Sequence, residues 1–153
     1  MRITAPEEYG LRCILLLATK GKGRLMTSGE IAAAEAMSVP YVNKILNILK
    51  HAGLIETVRG NKGGHRLSRN PSEINVADVL KALDGPLFEQ GFCEKFSGLN
   101  KECVHAHKSC SIRSVWSVLA ENVEALLSRT TLDELGRQKE GAMTMRLRGK
   151  ERG

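Results

Sequence analysis

The chain has 153 residues, enough for one domain with extensions and a sizeable core. Hydrophobic residues make up 42% and aromatic residues 4%, a balance that suits a helix-rich protein more than a β-sandwich. The net charge is +6 but unevenly placed: residues 38–69 carry Lys44, Lys50, Arg59, Lys62, Arg66 and Arg69 against Glu56 alone. The segment 136–153 is basic as well, and what remains is net acidic. Concentrated basicity of this kind is the footprint of a polyanion-binding surface. The chain lacks a nucleophile–base constellation, a phosphate-binding loop with its lysine and a strand–helix cofactor fingerprint, which argues against an enzyme. Its longest apolar run, 13–18, is too short to span a bilayer and follows Glu7 and Glu8 rather than a basic stretch. A cytoplasmic protein without a membrane partner is expected, and in a reducing cytosol four cysteines point to metal or redox work rather than disulfides.

In chain order, residues 5–20 predict a first helix so apolar that most of it must be buried. Thr27-Ser28-Gly29-Glu30 fits a capping box, with a short helix over 31–37 behind it. Ser38 is a second N-cap candidate, with Pro40 in the first turn where a missing N–H costs nothing. Val42, Ile45, Leu46, Leu49 and Ala52 repeat at helical spacing, while Tyr41, Asn43, Lys44 and Asn47 fall on the other side. Gly53 stands where a helix stops. Two short helices with a tight connection make a helix-turn-helix. Residues 54–59 and 65–67 then predict a hairpin around the loop 60–64, a wing. Asn75 caps a further helix through Leu83, ended by Asp84-Gly85-Pro86.

Residues 86–110 have neither helical nor strand periodicity and hold three of the four cysteines. Ile112, Val115, Trp116, Leu119, Val123, Leu126 and Leu127 define a long amphipathic helix whose stripe nothing left in the chain can cover, which predicts a homodimer. A short turn at 131–135 follows. The expected organisation is a winged helix-turn-helix domain over 1–85, a cysteine-containing sensor loop over 86–110, a dimerisation helix and final turn over 111–135, and a disordered basic tail over 136–153. The fold class is mainly α with a small β-wing.

Several segments taken together resemble the Rrf-two family of winged-helix regulators, the group of the IscR and NsrR types. They are Tyr9-Gly10-Leu11-Arg12, Ser38-Val39-Pro40-Tyr41-Val42, Lys50-His51-Ala52-Gly53-Leu54-Ile55 and Val58-Arg59-Gly60-Asn61-Lys62-Gly63-Gly64-His65-Arg66-Leu67. Asn75-Val76-Ala77-Asp78-Val79 and Thr131-Leu132-Asp133-Glu134-Leu135 complete the match, which covers residues 1–135. The resemblance implies a homodimeric transcriptional regulator, a repressor, on a near-palindromic double-stranded operator. It places DNA contacts at Thr27, Ser28, Ser38, Pro40, Tyr41, Asn43, Lys44, Arg59, Asn61, Lys62, Gly64 and His65. Chemically, Ser38 and Tyr41 can donate to phosphates, with a half-core position the alternative for Tyr41, and Asn43 and Lys44 suit adenine and guanine edges, although Lys44 serves equally well as a phosphate contact. Arg59 and Lys62 suit a narrow minor groove.

Cys93, Cys103 and Cys110 have the spacing C-x9-C-x6-C. Three thiolates on one loop are a usual way to hold an iron–sulfur cluster, and zinc or a thiol switch would use the same residues. Cluster-binding members of the family carry a three-cysteine loop at this place, so the resemblance favours a cluster, 2Fe-2S over 4Fe-4S. The fourth ligand of one branch, a histidine three residues after the last cysteine, is Arg113 here. The acidic residue another branch supplies from the partner's N-terminus corresponds to Glu8, with His105 or His107 as local alternatives. Cys13, on the apolar first helix, reads as packing.

Overall fold

The computed structural model describes residues 3–20, 23–86, 98–99, 103–105 and 110–138. The first helix, α1 (Ala5–Thr19), starts at Thr4, whose hydroxyl accepts from the Glu7 amide while the Glu7 carboxylate accepts from the Thr4 amide. That reciprocal cap satisfies two backbone donors at once and accounts for the one buried acid, Glu7. Cys13, Ile14, Leu16, Leu17 and Ala18 are all buried, so α1 is the central strut its composition predicted.

The capping box at Thr27 and Glu30 forms as expected, but α2 runs over Ser28–Glu35 rather than 31–37. The capping residue lies before the first helical position, so the helix opens at Ser28. It closes early because Ala36 adopts a left-handed conformation (φ 53°), which its Ala-rich sequence does not announce. The next helix, α3 (Val39–His51), has Pro40 in its first turn and buries Val42, Ile45, Leu46 and Leu49. Ala52, predicted to extend that stripe, is the helix's C-cap and is exposed. Gly53 follows at φ 71°, the left-handed stop.

Strand β1 (Ile55–Val58) pairs antiparallel with β2 (Gly64–Leu67) in the register Ile55↔Leu67, Glu56↔Arg66, Thr57↔His65, Val58↔Gly64. Met26 adds a short bridge to β2: its amide donates to the His65 carbonyl at 2.9 Å, and the His65 amide donates back at 2.7 Å. The wing is thus anchored on the segment that opens α2. A 3₁₀ turn over Pro71–Glu73 leads into α4 (Val76–Asp84), capped by Asn75 as its sequence predicted.

The long helix α5 (Ser111–Arg129) has no buried residue, and α6 (Leu132–Arg137) begins at a capping box formed by Thr131 and Glu134. Ile74 and Leu132 are fully buried together in the core, and two backbone bonds join their segments, Val76 N–H to the Thr130 carbonyl and Leu132 N–H to the Ile74 carbonyl, both 2.9 Å. The turn grouped with the dimerisation helix therefore belongs to the winged-helix body. It continues to Arg137 rather than ending at 135, with Gly136 against Thr19. Residues 139–153 lie outside the described residues.

Candidate nucleic-acid interface

The α3 N-terminus presents its first turn to solvent. Ser38, Val39, Pro40, Asn43 and Lys44 are exposed, as the outward face of a helix with one buried stripe must be. Ser38 occupies the N-cap but makes no side-chain capping bond, which leaves its hydroxyl available for another acceptor. Tyr41 differs from the outward reading: it is half-buried, packed against the core and edge-on to Tyr9, with ring centroids 5.8 Å apart. Tyr9 in turn lies under the Arg12 guanidinium, also at 5.8 Å.

In the wing, Arg59, Asn61 and Lys62 are exposed at the loop between the strands. Among the described residues, Lys44, Arg59 and Lys62 have no acidic partner, whereas Arg66 is paired with Glu56 and Arg24 with Glu30, each at 3.1 Å. Cations without an acidic partner thus stand at both the first α3 turns and the wing tip. Glu30 is held below the usual carboxylate range, chiefly by the Thr27 amide and then by Arg24.

Three residues predicted as direct contacts have other work in the fold. The Thr27 hydroxyl is engaged in its capping box. Gly64 lies where a Cβ would stand 2.8 Å from the Met26 carbonyl oxygen. His65 is half-buried with both ring nitrogens occupied, Nδ1 3.0 Å from Thr57 Oγ1 and Nε2 3.1 Å from Ser28 Oγ. Burial pushes the His65 pKa down, and the Lys50 charge adds to the effect. Thr57 escaped the sequence reading, yet the five-residue loop between the strands puts it opposite His65, so hairpin register was the available signal. The Ser28 contact depends on the Met26 bridge and had no local signature.

Of the predicted metal ligands, Cys93 and His107 lie outside the described residues. Cys103 and Cys110 are free, half-buried thiols, and Cys110 is the N-cap of α5 without a side-chain capping bond. His105 is exposed. Glu8 is exposed and accepts from Arg12 Nε and Nη2 at 2.9 and 2.8 Å, a bond that raises the Arg12 pKa. Among the described residues no three His, Cys, Asp or Glu side chains gather where a metal ion would sit. Cys13 is fully buried, and burial raises its thiol to about 11.

A helix-turn-helix whose second helix exposes Ser, Asn and Lys, beside a wing tipped with unpaired cations, defines a winged-helix DNA-binding regulator. The chain belongs to the Rrf2 family, described as an iron-dependent transcriptional regulator, with residues 3–138 matched. It is 31% identical over 134 residues to the HTH-type transcriptional regulator NsrR of Shouchella clausii, covering 87% of each. Its fold is similar to that of CymR (YrzC), the global cysteine regulator of B. subtilis, with TM-score 0.70, 27% identity, and 89% of this chain and 96% of that one covered. T. potens IscR gives TM-score 0.68 at 26% identity, covering 94% and 96%. The protein is accordingly a DNA-binding transcriptional regulator and not an enzyme. No described helix is long and apolar enough to cross a membrane.

Proposed function

We propose that this regulator works as a cytoplasmic homodimer on a near-palindromic operator, as a repressor, and that an iron–sulfur cluster held by Cys93, Cys103 and Cys110 sets its affinity for DNA. In this reading Ser38, Tyr41, Asn43 and Lys44 engage the major groove, and Arg59, Asn61 and Lys62 the minor groove. The observation that carries the sensing half is the placement of Cys103 and Cys110. Both thiols are free and within reach of solvent, and Cys110 caps the helix whose apolar face is exposed. Those donors fit a thiolate-ligated cluster, with Glu8 of the partner subunit as the fourth ligand and 2Fe-2S as the cluster type. When bound, such a cluster supplies a redox- and nitric-oxide-sensitive centre. The chain's own part is to hold it at the N-terminus of α5, where ligation fixes Cys110 and hence the first turn of that helix.

The dimer reading rests on α5, where Ile112, Val115, Trp116 and Leu119 are 67, 63, 58 and 43% exposed. An apolar stripe of that size on a water-soluble surface calls for a partner, and a second α5 offers a matching one. A second reading keeps the fold and the DNA contacts but uses Cys103 and Cys110 as a thiol switch, favoured by their being uncommitted. Anaerobic purification separates the two. Stoichiometric iron and sulfide, lost in Cys103→Ala and reduced in occupancy by Glu8→Ala, are expected for a cluster. Protein without iron or sulfide, whose DNA binding responds to thiol oxidants alone, overturns the cluster in favour of the switch.

A further inference from the structure

We infer that His65 is a positioning residue for DNA binding, aiming the Ser28 hydroxyl at a backbone phosphate through a directed chain of hydrogen bonds from Thr57. The inference rests on the reading above, that the opening of α2 and the wing face the duplex. The geometry is specific. Thr57 Oγ1, the imidazole and Ser28 Oγ stand in line, with separations of 3.0 and 3.1 Å, joining β1, β2 and the first turn of α2. Backbone bonds between Met26 and His65 hold the same three elements together, which keeps both hydroxyls within reach of the ring.

A neutral imidazole has one donor and one acceptor, so one of the two hydroxyls must give its proton to the ring while the other receives one. With the proton on Nδ1, Ser28 donates inward and presents only lone pairs, which a phosphate repels. With the proton on Nε2, Thr57 donates to Nδ1, Nε2 donates to Ser28 Oγ, and the Ser28 O–H is free to donate outward. The second arrangement is a continuous chain in which each bond polarises the next. A phosphate oxygen at Ser28 selects it. Ser28 is also the first residue of α2, where the unpaired amides of the helix start already favour an anion.

Protonating the ring forces the same outcome, because an imidazolium donates from both nitrogens. In the unbound protein that form is disfavoured by burial and by the charge of Lys50 on α3. A phosphate brought up by DNA opposes both. The complex therefore takes up protons at His65 that the unbound protein does not, and affinity rises as pH falls through that window. The DNA contact that the family resemblance implies for His65 is replaced by contact through Ser28.

The test uses the full-length dimer and a labelled duplex selected by the wild-type protein from a random pool. Ser28→Ala and His65→Phe are each expected to weaken binding about tenfold, the usual loss for one hydrogen bond to a charged group. The double variant is expected to be no weaker than either single one. His65→Gln, whose amide nitrogen can replace Nε2 as donor, recovers most of the affinity but loses the rise at low pH. Unchanged binding in Ser28→Ala, additive losses in the double variant, or a pH dependence that survives in His65→Gln each overturns the inference. If His65→Phe does not fold, Ser28→Ala in wild-type and His65→Gln backgrounds decides the same question. Failure of the underlying reading looks different, since Lys44→Ala, Arg59→Ala and Lys62→Ala would then all bind like wild type.

Discussion

Two glycines of the wing give a quantitative check on how it is anchored. Gly60 and Gly64 both have positive φ, +115° and +156°, but a Cβ on Gly60 would meet open space. On Gly64 it would stand 2.8 Å from the Met26 carbonyl oxygen, 2.9 Å from its carbon and 3.1 Å from Leu25 Cβ. Each Ala substitution incurs backbone strain of about 1–2 kcal/mol. Gly64→Ala must in addition push β2 away from Met26, weakening two backbone bonds worth about 1 kcal/mol each. Gly60→Ala is therefore expected to lose about 1–2 kcal/mol and Gly64→Ala about 3–4. Urea unfolding of both variants at one protein concentration measures the difference, because a dimer's apparent stability shifts with concentration. Gly64→Ala should also weaken DNA binding by displacing Arg59 and Lys62, while Gly60→Ala changes it less. Equal losses of stability would refute the reasoning, since the strain is common to both and only the close approach to Met26 separates them.

Lys62→Ala should lower the slope of log affinity against log salt by about 0.9 on duplexes of any sequence, as expected for one released counterion per phosphate contact, whereas Lys44→Ala should alter sequence preference if Lys44 reads a base. Trp116→Glu should dissociate the dimer. Burying roughly 100 Å² of that ring per protomer contributes about 2.5 kcal/mol, so sedimentation should show dimerisation weakened by at least about a hundredfold. In protein stripped of metal, iodoacetamide should alkylate Cys13 at least about a hundredfold more slowly than Cys103 or Cys110, because Cys13 is fully buried with its thiol raised to about 11; peptide mass spectrometry follows each site. The folded pKa of His65 lies below its ordinary value of 6.5, so the folded state binds fewer protons between the two values. Its contribution to stability is complete above pH 6.5 and is lost as pH falls through the folded value. Urea midpoints taken from pH 7.5 to 5 should show a slope that His65→Phe removes.

What the sequence revealed and what it hid divide along the range of the interactions concerned. Thr27 with Glu30, Asn75 with Asp78, and Gly53 after α3 are local devices, each closed within one helical turn, and all were readable from residue type and spacing. The buried stripe of α3 was readable for the same reason. Ala36 was not, because a left-handed alanine is imposed by what α2 and α3 must pack against rather than chosen by its own side chain. Tyr41 could be read either as outward or as half in the core, since the partner that decides it, Tyr9, is 32 positions away on α1. Leu132 was assigned to the wrong part of the body because only the pairing of segments 74–76 and 130–132 carries it into the core. The candidate site shows the same pattern: exposed Lys44, Arg59 and Lys62 follow from charge and hairpin position, while the engagement of His65 needs two contacts across the fold.

A route by which the cysteine segment can act on DNA follows from contacts at the other end of the molecule. Two chains of packing approach α3. One runs from Cys110 along α5 into α4, which packs on both α1 and α3, so a change at the start of α5 bears on the element supporting α3. The other is a ladder on the surface: Glu8 holds Arg12, Arg12 lies over the Tyr9 ring, and Tyr9 meets Tyr41 in the first turns of α3. Both Arg12 contacts fall on Glu8 Oε1, so under the proposed ligation by Glu8 of the partner subunit Oε2 would take the cluster. Ligation would draw negative charge from the carboxylate and weaken its hold on the guanidinium over Tyr9, and with it the backing of the Tyr9–Tyr41 edge contact. Such an exchange of charge biases the ladder differently in the two states, which is what a two-state response requires. The ion pair is exposed and weak in water, so the exchange sets no large barrier, and the differential affinity for DNA must come mainly from the orientation of Tyr41 and the α4 support beneath α3.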